Sequence, residues 1–416
     1  MKWKLKKPSW KTMKRWKKVA LIALALFLLF QIPFIYRRIR LGQLSRAIQQ
    51  MNSERVVNQT ESAYTDYKGV IHVHSSLGGH STGNLSDIIQ AASRNNLSFV
   101  VMTEHPSDLM DTSAQTLKGF HAGVLFINGN EVSTASHDRF LLVPGSADAA
   151  TANTIGSEQV LNTQKTRGGL SFIAYPQEFQ SWDANDYDGI EVYNLFTNTK
   201  KINYFVTFFD GLWSYWNYPD LMFARFYEKP SDDLKRWDEL IRTKNRRVVA
   251  IAGNDAHANV GFRVGDLTGK ELIGLHLDPY ERSFHLVRNH VLIEKEKPLA
   301  SDTLLAALAS GHCYIAFDIF GDSSGFTFTA ENSQDKRIMG DEIELLDGVR
   351  FVITTPVNAR VLLIKDGQVI RDEDGTSRKE YAVTERGAYR VEVYLTQLGS
   401  LVKDKPWIIS NPIYIR

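Results

Sequence analysis

Residues Gly69–Gly83 read GVIHVHSSLGGHSTG, and two incompatible folds are written in them. In the first reading, His72 and His74 stand at i and i+2 on a strand, so their side chains point to one side and grip one ion. In the second, GHSTG over Gly79–Gly83 fits G-x-S-x-G, with Ser81 as the nucleophile of a serine hydrolase. That elbow requires a buried strand running straight into the turn, a helix leaving it, and earlier strands to supply an oxyanion donor. Here SSLG separates the strand from GHSTG, and only an apolar N-terminal segment, a polar stretch and one strand precede Ser81. The stretch is therefore read as a metal site at the end of a strand.

The later strand ends support this. One closes on TEH (Glu104, His105), the next on GNEV (Glu131) and a later one on GNDAH (Asp255, His257), where acid and imidazole again stand at i and i+2. A lone histidine is ordinarily a structural one. Only 11 occur in the 416 residues, so their recurrence beside acids at strand ends points to a shared site. Amphipathic stretches separate the strands, such as NLSDIIQAASRNN, with Ile88, Ile89 and Ala92 on one face and Asn84 as N-cap. Strands alternating with helices predict an α/β sheet or barrel, whose strand ends gather at one face. Imidazoles and carboxylates suit Zn, Mn or Fe.

HVH, TEH, GNEV and NDAH, in this order, resemble the PHP family, the polymerase and histidinol phosphatase domains, over residues 67–320. The resemblance implies a distorted (β/α)7 TIM-like barrel holding two or three divalent transition metal ions. It implies that His72, His74, Glu131 and Asp255 bind a first metal and that Glu131 bridges to a second. It places His137, in ASHDRFLLVPG, as the next ligand, and assigns His80, His105 and His257 to a third metal. Ser81 then has no chemical role. The acid of TEH is more often a support than a ligand, and Glu191, in GIEVYN, is expected either to orient an imidazole, to contact substrate or to serve structure.

One position departs from the family. Where its members usually read AHP, this chain reads AYP, with Tyr175. A phenol, with a reference pKa of about 10, is a poor ligand unless ionised. The outcome is a weak second site, a phenolate bound to iron, or an altered enzyme.

The activity this implies is metal-dependent hydrolysis of a phosphoester, in which bound ions lower the pKa of water to about 7 and no side-chain nucleophile is needed. Glu131, His137 and Asp255 carry the reaction, and Arg139 and Arg263 are the expected phosphate clamps. The same site on a carboxylic or carbamate ester is the alternative reaction, since a fold does not choose the bond. A non-catalytic envelope-binding protein is the rival of another class. The substrate is expected to be a phosphorylated or ester small molecule, or an envelope component.

Composition bounds the rest. The net charge is +2, but the first 40 residues carry eight Lys, four Arg and no acid, which leaves −10 for the remaining 376. An acidic body argues against nucleic acid as a partner. The single cysteine, Cys313, excludes an internal disulfide and reads as a small buried hydrophobe. Val19–Phe30 is wholly apolar, and with Gln31 and Pro33 the run reaches Tyr36, the lower limit for a bilayer span. A cleaved signal peptide competes with this, but QIPFIYRRIR offers no small-x-small cleavage site. Residues 1–18 hold nine Lys/Arg against four in 37–54, so the tail is expected in the cytoplasm and the body on the outer face of the cell membrane.

The expected layout is a basic tail (1–18), a single-pass anchor (19–36), a stalk (37–66), the metallohydrolase barrel (67–320) and a small all-β sandwich (321–416), whose short strands are separated by Gly, Asn and Asp turns. Residues 196–227 hold twelve aromatics and are read as helices packed on the barrel, with a lid or membrane-facing surface as the alternative. His121, His276, His285, His290 and His312 match no motif and are read as structural.

Overall fold

Period-two alternation and short apolar runs set up a strand-rich chain, and the computed structural model bears this out. It describes residues 10, 13–56, 62–199, 203–224, 227–244, 246–259, 261–265, 271–276, 278–346 and 348–416. The chain opens with α1 (Arg15–Ser53), β1 (Tyr64–Val73), α2 (Leu85–Arg94), β2 (Phe99–Met102) and α3 (Thr112–Gln115). Next come β3 (Gly119–His121), β4 (Val124–Ile127), β5 (Asn130–Ser133), β6 (Arg139–Val143), α4 (Ser157–Thr166), β7 (Leu170–Ala174) and β8 (Gly189–Asn194). Helices α5 (Leu195–Thr199), α6 (Tyr204–Ser214), α7 (Pro219–Ala224) and α8 (Ser231–Lys244) lead to β9 (Val249–Ala256). The hairpin β10 (Gly261–Gly265) and β11 (Glu271–His276) precedes α9 (Tyr280–Leu286), β12 (Arg288–Glu294), α10 (Ser301–Ser310) and β13 (Cys313–Ala316).

The fold is mixed α/β around a large sheet. β1 is parallel to β2 on one side and to β9 on the other, and β9–β8–β7 continue in parallel. β2 is also parallel to β4. The pairings β5–β6, β6–β7 and β1–β12 are antiparallel. The loop Thr134–Asp138 between β5 and β6 is too short for a crossover, so a hairpin forms. β4 and β5 break at Asn128 and Gly129, and one isolated bridge, Glu104 to Asn130, spans the break. The sheet is thus not closed by a continuous ladder, and a TIM-like barrel is not shown.

Both faces of the sheet are buried. Ile71, Phe99, Val101, Leu125, Leu141 and Phe172 share one apolar cluster, while Val70, Val100 and Phe126 face α2 and α9 through Ile88, Ala92 and Phe284. This is the alternation expected of strands covered on both sides. Asn84 caps α2 in a reciprocal box with Asp87, a device worth about 1 kcal/mol.

α1 is one helix of 39 residues with Pro33 inside it, about 58 Å long at 1.5 Å per residue. It is long and apolar enough to cross a membrane, a test that a signal sequence near an N-terminus also passes. Residues 37–53, expected in a stalk, continue this helix and bury Leu41, Gly42, Leu44 and Met51. They dock because those apolar residues recur at helical spacing and meet the body on one face. The aromatic-rich segment forms α6 and α7, which pack on α1: the Phe209 ring lies 5.0 Å from Phe30 and 5.2 Å from Phe34.

From β14 (Thr327–Glu331) the chain is all β: β15 (Lys336–Ile338), β16 (Glu342–Ile343), β17 (Val349–Lys365), β18 (Gln368–Val383), β19 (Gly387–Tyr394), β20 (Pro406–Ser410) and β21 (Ile413–Ile415). β17 pairs with β14 through its first part and with β19 through its last, while β18 follows it along nearly its whole length. β20 inserts beside β13, and β13 pairs with β12. The C-terminal strands therefore share hydrogen bonds with the sheet that carries β1.

Candidate metal centre

The strand ends converge through irregular backbone. The β1 register slips at His72, whose φ is +70°. A second slip in the β1–β9 pairing takes in Asp255, with φ +47°. Tyr175, just past β7, has φ +50°. Left-handed backbone at non-glycine residues costs about 1–3 kcal/mol each. Here it turns three side chains toward one point. Simple alternation along the strands does not bring them there.

Two groups result. His72, His74, Glu131 and Asp255 form one, all buried; His74, His105 and His257 form the other; within each, one ligand atom per residue lies within 4.8 Å of the rest. Glu131 Oε2 stands 3.1 Å from His72 Nε2, 3.3 Å from His74 Nε2 and 3.5 Å from His105 Nε2, so it links the groups. Asp255 Oδ1 lies 3.6 Å from both His72 Nε2 and His74 Nε2, and 3.3 Å from His257 Nδ1. The His74 ring is stacked between His105 at 4.5 Å and His257 at 4.3 Å.

The surrounding residues aim these side chains. Glu191 Oε1 lies 2.7 Å from His72 Nδ1, which turns Nε2 toward Glu131 and Asp255. Asn194 donates to Glu191 Oε2 at 3.1 Å and to Asp255 Oδ2 at 3.2 Å. Gly253 makes room for this, since a Cβ there would lie 1.5 Å from Glu191 Oε1. Neither Asn194 nor Gly253 was singled out in the sequence; their only signals are an amide at the end of GIEVYN and the glycine of AGNDAH. Glu104 is fully engaged elsewhere: it accepts from Ser75 Oγ at 2.7 Å and Thr116 Oγ1 at 2.8 Å, and from the Ser75 amide. It braces the β1 loop and is not turned to the cluster.

Electrostatics prepare the imidazoles differently. Burial disfavours a charged His72, but Glu191, Asp255 and Glu131 outweigh it and hold the pKa well above the ordinary value. At His74 and His105 burial prevails and pulls each pKa down to about 4. Burial pushes Glu131 and Asp255 upward, yet the neighbouring imidazoles, His72 first, bring both below their ordinary values. The ionised carboxylates and the neutral His74 and His105 are in the protonation states that metal ligands need, whereas His72, held as the cation by its three carboxylates, would have to release a proton to a metal. Both His74 ring nitrogens, Glu131 Oε1 and Asp255 Oδ1 are buried without a hydrogen-bond partner. Unpaired buried polar atoms are costly, and a cation among them would give a partner to all three residues.

The remaining expected residues fall in several places. His80 is exposed, with its ring 4.8 Å from His105, and it lines the cleft without joining either group. His137 is exposed in the β5–β6 turn and belongs to neither group, because its left-handed backbone (φ +63°) lies on the outward tip of a tight hairpin. Arg139 is half-buried, with Nη1 3.8 Å from Glu131 Oε1 and its guanidinium 4.7 Å from the Tyr175 ring centroid. Arg263 lies in β10, whose side chains fall outside the described residues.

Tyr175 donates its hydroxyl hydrogen bond to Asp255 Oδ2. Burial, then Asp255, pushes the phenol well above its ordinary pKa, so it is a neutral donor to Asp255 and not a phenolate. Ser81 is buried, with Oγ donating to the His257 carbonyl at 2.5 Å and 2.8 Å from the Tyr280 hydroxyl. Its partners are structural and include no general base. A cleft of about 610 Å³ opens over the cluster, bounded by His80, His105, Glu131, Arg139, Tyr175 and Phe196.

No family model and no curated protein matches the chain. Among solved structures, PsfC from Pseudomonas syringae PB-5123 is similar over 61% of this chain and 92% of its own, at 12% identity and a TM-score of 0.38. A likeness that slight carries no argument about fold or function.

Proposed function

We propose that the chain is a membrane-anchored, metal-dependent phosphoester hydrolase of the PHP kind, with its body on the outer face of the cell membrane. On this reading the strands β1, β2, β4–β5, β6, β7, β8 and β9 form the family's distorted barrel, and the C-terminal strands form a small sandwich. One observation carries it: two adjoining groups of imidazoles and carboxylates, all buried but half-buried His105 and joined through Glu131, beneath a cleft with an arginine on its wall.

His72, His74, Glu131 and Asp255 would hold one divalent ion, and His74, His105 and His257 are disposed toward a second. Zn, Mn and Fe all accept these donors. When bound, such ions lower the pKa of water and polarise a phosphoryl group. Glu191 keeps His72 in the tautomer that presents Nε2 inward, and Asn194 and Tyr175 hold Asp255 by hydrogen bonds to its outer oxygen. Arg139, 39% exposed at its side chain, is free to turn from Glu131 toward an anionic substrate. Carboxylic or carbamate ester cleavage would use the same residues.

The test is elemental analysis of the full-length protein, purified in detergent without chelators, beside assays on aryl phosphates, phosphodiesters and aryl esters. Bound transition metal with phosphoester turnover is expected. His72→Ala or Asp255→Ala should lose metal and fall to background, while Ser81→Ala stays within a few-fold of wild type. A metal-free protein without turnover would sink the proposal in favour of a binding role, and loss of turnover in Ser81→Ala alone would restore the serine reading.

A further inference from the structure

Helix α6 carries two different faces. Phe209, Asp210 and Trp213 point at α1: the Trp213 indole donates to Gln31 Oε1 at 3.0 Å, and Asp210 pairs with Arg37 at 2.7 Å. The contact falls at the end of the apolar run of α1, and it gives a partner to Gln31, the one polar side chain in that run. The other face bears Phe205, Phe208 and Leu212, continued past the helix end by Trp216. These stand at helical spacing and are 62%, 61%, 58% and 84% exposed. No charged residue interrupts them, because Asp210, the only one in the helix, is turned to α1.

An uninterrupted aromatic stripe is not a surface that water-facing helices ordinarily carry. It is also continuous with the exposed apolar side of α1, since the Phe30 ring lies 6.0 Å from Phe205 and 5.0 Å from Phe209. Aromatic residues at the end of a span are the groups that favour the membrane–water boundary. Arg37 and Arg38 follow at once, and Arg38 donates to Asn217 at 2.8 Å. That places cations where headgroups would meet them.

We infer that α6 lies in the outer lipid interface beside α1, with Phe205, Phe208, Leu212 and Trp216 immersed, so that the body is seated on the bilayer by two elements and not hung from one. The inference rests on the reading of α1 as a membrane span. The structure allows the two to be tested apart. Cys313 is buried, and burial pushes its thiol up to about 12, so introduced cysteines can be labelled alone.

The experiment places a nitroxide at Phe208→Cys, Trp216→Cys, Leu24→Cys in α1, or Val369→Cys, an exposed site on β18. Each full-length variant is reconstituted in vesicles of phosphatidylethanolamine and phosphatidylglycerol. Accessibility to oxygen is then compared with accessibility to a water-soluble nickel chelate. Positions 208 and 216 should report oxygen-rich, chelate-poor surroundings ~5–10 Å below the headgroup level, with 369 fully aqueous. Aqueous values at 208 and 216 beside a lipid value at 24 would overturn the inference and leave the anchor standing. Low accessibility to both probes at 208 and 216 would mean a protein partner and would overturn it too. An aqueous value at 24 would remove the anchor and the inference together.

Discussion

At the scale of single residues, Tyr175 is the informative departure. It stands where the resemblance calls for an imidazole, and it reaches the cluster as a hydrogen-bond donor to Asp255. A neutral phenol adds little to a cation, so the purified protein is expected to hold fewer than three tightly bound ions. Tyr175→His would replace that donor with a group that ligates as a neutral ring near pH 7. Elemental analysis of wild type and variant, prepared identically, should show higher metal stoichiometry in the variant. Three full-occupancy ions in the wild type, with no gain on substitution, would mean that Tyr175 is a competent ligand or that another residue fills its place, and would overturn this expectation. The strand-end motifs contain the residues of both groups, along with His80 and His137, which join neither, and the resemblance implied a supporting place for Glu104. They did not show that Glu191 addresses His72, because the two are 119 residues apart.

At the scale of elements, His290 shows how β12, β13 and the segment after β13 are tied to β1. It sits on β12, wholly buried, with Nδ1 2.8 Å from Asp66 on β1 and Nε2 3.1 Å from Asp318 after β13. Tyr314 of β13 donates to Asp66 at 2.8 Å, and the Ser323 hydroxyl donates to Asp318 at 2.9 Å. Burial alone would depress the His290 pKa, but the two aspartates outweigh it and raise the value to about 10. The stability this contributes is complete below the ordinary value of about 6.5, and it is lost as pH rises toward and through 10. Asp318 shifts the other way, so its share persists above the usual carboxylate range and disappears in acid. His290→Ala should cost about 3 kcal/mol, since it takes the cation from between buried Asp318 and half-buried Asp66 and leaves Asp318 with only Arg288 as a charged partner. Thermal unfolding in detergent should show the gap to wild type widest at mildly acidic pH, above the carboxylate range and below about 6.5, and shrinking toward pH 10. A gap that does not change with pH would refute a charged His290.

At the scale of the whole molecule, the charge asymmetry of the N-terminus sets the expected topology. Nine Lys/Arg before the apolar run against four after it would keep the tail of a spanning helix inside. A reporter fused after Arg416 should be active only as an outside marker, and activity of a cytoplasm-restricted reporter there would reverse the orientation. The apolar run, the strands and the imidazoles and carboxylates at the strand ends were legible in the chain because each depends on neighbours within a few positions. Amphipathic spacing and strand alternation are local properties. What only the tertiary structure decided depends on residues far apart in the chain. It showed that the expected stalk continues α1 and docks on the body, and that the aromatic segment packs against α1. It also showed that β20 joins β13, that the main sheet is left without a continuous closing ladder, and that left-handed backbone at His72, Tyr175 and Asp255 turns their side chains into one centre. Contacts between distant segments are set by competition among all buried surfaces at once, and no local pattern encodes the outcome.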